Sequence, residues 1–440
     1  MPGNRKVTPM KRSLALPAIA LVAVAGLAAC DVGGTGASQP APSSQQLATG
    51  AQVSGEITFW HAYSAGGGEI DALEKTIIPA FEKLHPGVKV HDVQVPSDQM
   101  HQKLITATAA GSLPDVVRAD IVTVPELAKL GVLAPLSDDM PDFQDWAGKM
   151  YPGPLATNKY KDKFWGLPLD TNTKVVIYNQ DALTAQGISS VPKTLDDLKA
   201  DAAKPGAGKY LFAEGGSGGW NLLPFIWSNG GEMTNPEVTK ATGYLNSPKT
   251  VEAVQMLVDM YNAKQLPSNV LGAPGAVQTS DGLAKGMYDT IVDGPWTFPN
   301  LTKAYPNFKP ATEPMFSGSA GSISVVGGED IVMTQQSKNK ALAAEFIRYM
   351  LSPEAQQAMG KVGQLSAESA LAADMASYAP YYAPYLDQLK TARPRPATPQ
   401  WAKVDDIFTK QVQQAFQGKQ TVQQALDNAA AQIDPLLAQG

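Results

Sequence analysis

Cysteine is nearly absent: the 440-residue sequence holds one, Cys30. No intramolecular disulfide can form, and no thiolate zinc or iron–sulfur site can be built. Histidine is scarce as well, limited to His61, His85, His91 and His101, with no pair spaced four apart and no acidic cluster beside them. That spacing offers no metal site. Positive charge is not in excess: Lys plus Arg number 35 against 41 Asp plus Glu, a net charge of -6, and no basic stripe suggests a nucleic-acid partner. The hydrophobic run at residues 14–27 is too short to span a bilayer comfortably. No repeat of solenoid length is visible. What remains, 44% hydrophobic and 17% charged with 39 Gly and 34 Pro, is a soluble globular composition and excludes disorder, collagen and coiled coil. The length asks for two or three folded units.

The position of the one cysteine gives it meaning. Met10, Lys11 and Arg12 precede the apolar run, which closes on Leu27-Ala28-Ala29-Cys30. A basic start, a hydrophobic stretch and small residues at its end make a secretory signal peptide, residues 1–29. The Leu-Ala-Ala-Cys ending resembles the bacterial lipobox, so Cys30 is the expected lipid anchor. Met10 is an alternative start. Removing residues 1–29 takes away Arg5, Lys6, Lys11 and Arg12 and no acid, leaving 31 bases against 41 acids and a net charge of -10. Residues 30–55 are rich in Gly, Ser, Pro, Gln and Ala, cannot bury enough surface to fold, and read as a flexible spacer.

From residue 56 the pattern changes. Residues 56–60 read as a strand, Ile70, Leu73, Ile77, Ile78 and Phe81 keep helical spacing, and residues 88–95 alternate with period two. A helix at residues 98–110 ends at Gly111, and residues 115–120 are a third strand. Strand, helix, strand, helix, strand predicts parallel strands joined by crossover helices, an α/β lobe. Further strands are expected at residues 175–178, 209–213, 288–293 and 328–333. Beyond them the chain turns helical, with apolar stripes at Leu342 to Leu351 and Val404 to Phe416 and a capping box of Thr421 and Gln424 opening the last helix.

Three kinds of residue could carry chemistry. Gly215-Gly216-Ser217-Gly218-Gly219 fits the nucleophile-elbow pattern between a strand and a helix. A hydrolase of that type needs a histidine after the serine, and all four histidines precede it, so a plain glycine-rich loop is favoured. Asp120, Asp170, Asp293 and Glu329 end strands, where open α/β sheets place ligand contacts. They could serve a glycosidase as an acid and base, or simply bond ligand hydroxyls. Trp60, Trp220 and Trp296 stand at element ends beside Gly or polar residues, unlike Trp227 inside an apolar run. Aromatic faces at loop tips suit sugars, whose C–H faces pack on rings while hydroxyls take planar polar partners.

Several segments taken in order carry a family resemblance. They are Ile57-Thr58-Phe59-Trp60-His61, Leu113-Pro114-Asp115-Val116-Val117 leading to Asp120, and Trp165 through Asn172 running into Val176 to Asp181. Later come Trp220 to Glu232, Asp293-Gly294-Pro295-Trp296, Gly327-Gly328, and Leu351-Ser352-Pro353-Glu354. Over nearly all of residues 56–437 the sequence resembles the extracellular solute-binding proteins of bacterial ABC sugar importers. The resemblance implies an α/β, two-lobed periplasmic-binding-protein fold of the maltose-binding type, with a hinge of crossing strands and an interlobe cleft. Residues 56–169 plus 325–370 would form one lobe and residues 170–324 plus 371–440 the other. By position it implies that Asp120 lines the first lobe and that Asp170 and Thr171 lie on the hinge side. Trp220, with Asn221 beside it, and Trp296 would be stacking platforms, and Gly328 a backbone contact. Arg395 of an Arg-Pro segment would bond sugar hydroxyls, with Trp401 nearby and Trp60, His61 and Tyr63 following the first strand.

The expected function is therefore a monomeric substrate-binding lipoprotein, held on the outer face of the cell membrane through Cys30. It would capture a di- or oligosaccharide of maltose or trehalose type and deliver it to an ABC permease, with no cofactor and no catalysis. A glycerol-phosphodiester or polyol binder is the alternative within binding, and a secreted carbohydrate-active enzyme the alternative outside it.

Overall fold

The computed structural model describes residue 50 and residues 52–64 and 68–439. The expected signal segment, the Cys30 anchor and most of the expected spacer lie outside the described residues. The first expected strand runs Gly55–His61, and Val88–Gln94 and Val116–Asp120 flank it in parallel. The connecting helix Ser97–Ala110 stops at Gly111, which takes the left-handed φ of 66° that ends a helix with least strain. Val116–Asp120 then pairs antiparallel with Gly327–Met333, which pairs antiparallel with Gly166–Asn172, and Leu365–Ser366 closes the edge of a six-stranded sheet. A second sheet has the order Ala311–Glu313, Val175–Tyr178, Tyr288–Asp293, Tyr210–Ala213.

Each sheet carries its own core. On the first, Phe59 and Phe81 both meet Phe346 of the Lys340–Met350 helix edge-on, at 5.3 and 5.2 Å between ring centroids. On the second, Phe212, Phe225 and Phe316 pack with Phe408 of the Trp401–Phe416 helix. The helix Val422–Leu437 covers the same core and opens with the expected capping box, Thr421 and Gln424 exchanging bonds of 3.0 and 3.1 Å. The central strands of the first sheet are buried on both faces, as parallel strands between helices must be: Phe59 faces one cluster, Trp60 another.

The chain crosses between the sheets at Thr173 and Lys174, again at residues 324–326, and a third time in the segment that carries Arg393. These crossings are tied together. Thr173 Oγ1 donates to the Val325 carbonyl at 2.8 Å and Ser324 Oγ to the Lys174 carbonyl at 2.7 Å. The Arg393 N–H donates to the Ser324 carbonyl at 2.8 Å and the Val326 N–H to the Arg393 carbonyl at 2.9 Å. The molecule is thus two α/β lobes joined by a narrow band of crossing strands.

Candidate functional site

Beside those crossings lies a cavity of about 330 Å³. Its floor is set by strand register: Glu329 stands opposite Asp120 on one neighbour and opposite Asp170 on the other, so three carboxylates stand side by side on three adjacent strands. Such a row needs a cation. Arg118, 4% exposed, supplies it: Nε donates to Asp170 at 3.1 Å, and Nη2 to Glu329 at 2.7 Å. Its guanidinium lies 4.3 Å from the centroid of the Tyr63 ring. Burial works against the charge on Arg118, but the Asp170 and Glu329 carboxylates outweigh it and hold the pKa above the ordinary value. Burial likewise drives the Glu329 carboxyl well up, with Asp170 adding to the shift and Arg118 opposing it. Asp120 is exposed and lines the cavity, one oxygen accepting the Val122 N–H at 3.0 Å.

Tryptophans form the facing wall. Trp220 opens the helix Gly219–Ser228 and Trp296 precedes the helix Thr297–Ala304, their centroids 6.2 Å apart and planes tilted by 32°. Trp296 is 38% exposed. Arg395 lies 5.3 Å from the Trp220 ring; its Nε is buried with no hydrogen-bond partner, and burial depresses its pKa against the pull of Asp120, Asp405 and Glu329. Gly327 and Gly328 let these parts approach. A Cβ at Gly327 would stand 2.8 Å from Trp220, and one at Gly328 would stand 2.4 Å from the Asp170 carbonyl, at a φ of 127° that side chains avoid. Behind Trp220, Lys174 pairs with Glu214 at 3.0 Å in full burial, and burial raises the Glu214 pKa against Lys174's opposing charge.

Asp120, Thr171, Trp220, Trp296, Gly328 and Arg395, named from sequence, thus share one cavity. The others are held elsewhere. Trp60 is the next-to-last residue of its strand, as expected, but its ring is packed away, 8% exposed among Val95, Met100 and Leu104, with the Lys103 ammonium 4.2 Å from it. His61 is fully buried between Phe59 and Tyr63, and burial lowers its pKa despite Asp92 at 3.3 Å. Tyr63 is 1% exposed beneath Arg118, and Asp170 is committed to that arginine. Asn221 donates its amide to Glu214 at 2.6 Å, and Trp401, 4% exposed, backs Arg395 at 6.0 Å. Sequence reasoning missed Arg118, Asn172 and Gln364 in the cavity lining. An arginine inside the apolar strand Val116–Asp120 was the available signal, since a buried charge requires partners. Ser217 of the glycine-rich loop is buried and its Oγ has no hydrogen-bond partner, while every histidine belongs to the first sheet or its helices. Among the described residues no cluster of His, Cys, Asp or Glu could hold a metal ion, and no helix is long and apolar enough to cross a membrane.

The model of the bacterial extracellular solute-binding protein family matches residues 66–357. The galactooligosaccharide-binding protein of Bacillus subtilis is 23% identical over 402 residues, 88% of this chain and 91% of that protein. Among solved structures, the GacH receptor of Streptomyces glaucescens, studied unliganded and with acarbose, superposes with a TM-score of 0.77 at 24% identity, covering 88% of this chain and 99% of that one. The cyclic alpha-maltosyl-1,6-maltose binding protein of Arthrobacter globiformis gives 0.75 at 25% identity, covering 88% and 100%. All of these are binding proteins, not enzymes.

Proposed function

The chain belongs to the bacterial extracellular solute-binding proteins, and from that premise we propose that it captures a neutral di- or oligosaccharide between its lobes and hands it to an ABC permease. One observation carries the reading. Two adjacent tryptophan rings line the same cavity as Asp120 and Glu329, and the buried Arg118 fixes Glu329 and Asp170 in place. Rings suit the C–H faces of a pyranose, and fixed carboxylates and guanidinium suit its hydroxyls. A phosphodiester would meet Asp120 and Glu329 with only Arg395 uncommitted, which disfavours the glycerol-phosphate alternative. The sugars named for the relatives, a galactooligosaccharide, acarbose and a cyclic maltosyl-maltose, support an oligosaccharide, and the last two favour the maltose type as the first candidate.

Capture works by population shift: a sugar touching both lobes binds the closed form better and so favours it. Trp220→Ala and Trp296→Ala are each expected to weaken sugar binding about tenfold or more, the loss of roughly 1.4 kcal/mol of ring contact, without unfolding the protein. Normal binding by both variants would remove the stacking assignment. We also propose that lipid on Cys30 tethers the protein to the membrane. Cys30→Ser should then abolish lipid incorporation and release the protein from the membrane fraction; continued partitioning into membrane would contradict the anchor.

A further inference from the structure

A second cavity, of about 370 Å³, shares Arg395 with the first. The helix Gly219–Ser228 serves both, with Trp220 lining one and Trp227 the other. Seven residues on a helix return to nearly the same face after about 10 Å. Opposite them runs Arg393-Pro394-Arg395-Pro396, stiffened by its prolines. Arg395 lies 5.3 Å from the Trp220 ring and Arg393 lies 4.9 Å from the Trp227 ring, so the arrangement of guanidinium on indole occurs twice, once per cavity.

The second unit is finished differently. Trp227 is only 2% exposed, so its ring is support rather than platform. Arg393 grips Glu232 through both Nη atoms, at 2.9 and 2.7 Å, and this pair is about 40% exposed at the cavity wall. The pair's facing groups satisfy each other, and the guanidinium N–H groups and carboxylate lone pairs left over on its exposed side can still meet hydroxyls. Tyr244 adds a partly open ring, and Ala156 brings the first lobe to the same cavity. Between the two cavities the buried Arg395 Nε still lacks an acceptor.

We propose that the second cavity is a further subsite of the cleft, taking the distal units of an oligosaccharide whose first units lie on Trp220 and Trp296. The ligand is therefore longer than a disaccharide. This inference rests on the carbohydrate reading, and its test separates the two. Wild type, Tyr244→Ala and Glu232→Gln are titrated calorimetrically with maltose and maltotetraose, and with diacetylchitobiose and its tetramer. Wild type should bind one tetramer about tenfold or more tighter than its dimer. Both variants should lose most of that gain while holding the dimer within about twofold and melting as wild type does. A wild type indifferent to length, variants that keep the full gain, or variants that weaken dimer and tetramer equally would each overturn the second subsite and leave the first in place. Failure of every sugar to bind wild type would overturn the carbohydrate reading and this inference with it.

Discussion

Asp289 lies within the second sheet, fully buried, and neither of its carboxylate oxygens has a hydrogen-bond partner. Burial pushes its pKa up to about 6, with Lys209 opposing. The folded state therefore holds a proton that the unfolded chain, near 3.8, has lost. The favourable contribution is complete below the unfolded value and is lost as pH rises through about 6. Asp289→Asn, which keeps the shape and removes the titration, should melt higher than wild type at pH 7.5, the gap narrowing as pH falls from 6 toward 4. A gap that is constant with pH would contradict the burial argument. The same principle explains which site residues the sequence revealed. Trp220 and Trp296 stand beside glycine or proline at helix starts and Arg395 lies between two prolines in a connection, so local sequence alone marks all three as exceptions to core packing. Trp60 and His61 share that local look but close a strand covered on both faces, a fact about neighbours far along the chain. Arg118 and its two carboxylates were invisible as a unit because the partners are 52 and 211 residues away.

Among elements, the three parallel strands and their helices follow from local periodicity, and the last helix from its cap. The strand Gly166–Asn172 was legible only as a motif, because Pro168 interrupts its pattern. The structure accommodates Pro168 at an irregularity, where the register with Gly327–Met333 shifts between Glu329 and Asp330. Antiparallel pairing here joins segments that no local signal links. At this junction Gly328 is predicted to be irreplaceable. Gly328→Ala puts a Cβ 2.4 Å from the Asp170 carbonyl at φ 127°, so it should cost on the order of 1–3 kcal/mol in thermal unfolding and weaken sugar binding as the floor shifts. An unchanged melting curve and affinity would show the backbone there to be softer than its geometry implies.

For the molecule as a whole, two sheets with apolar clusters packed against them meet at three hydrogen-bonded crossings, and the cavity lies beside those crossings. In the proposed function, rotation at the crossings would bring the tryptophans and the carboxylates together on the sugar, which is how a small ligand can select a global state. The most direct measurement is a calorimetric titration of the wild-type protein against α-linked disaccharides, longer oligosaccharides and glycerol phosphates, with the sugars recovered afterwards. Saturable one-to-one binding of a neutral sugar that is recovered unchanged, with no heat from glycerol phosphates, is the expected result. Binding of glycerol phosphate alone, or recovery of cleaved sugar, would contradict the account.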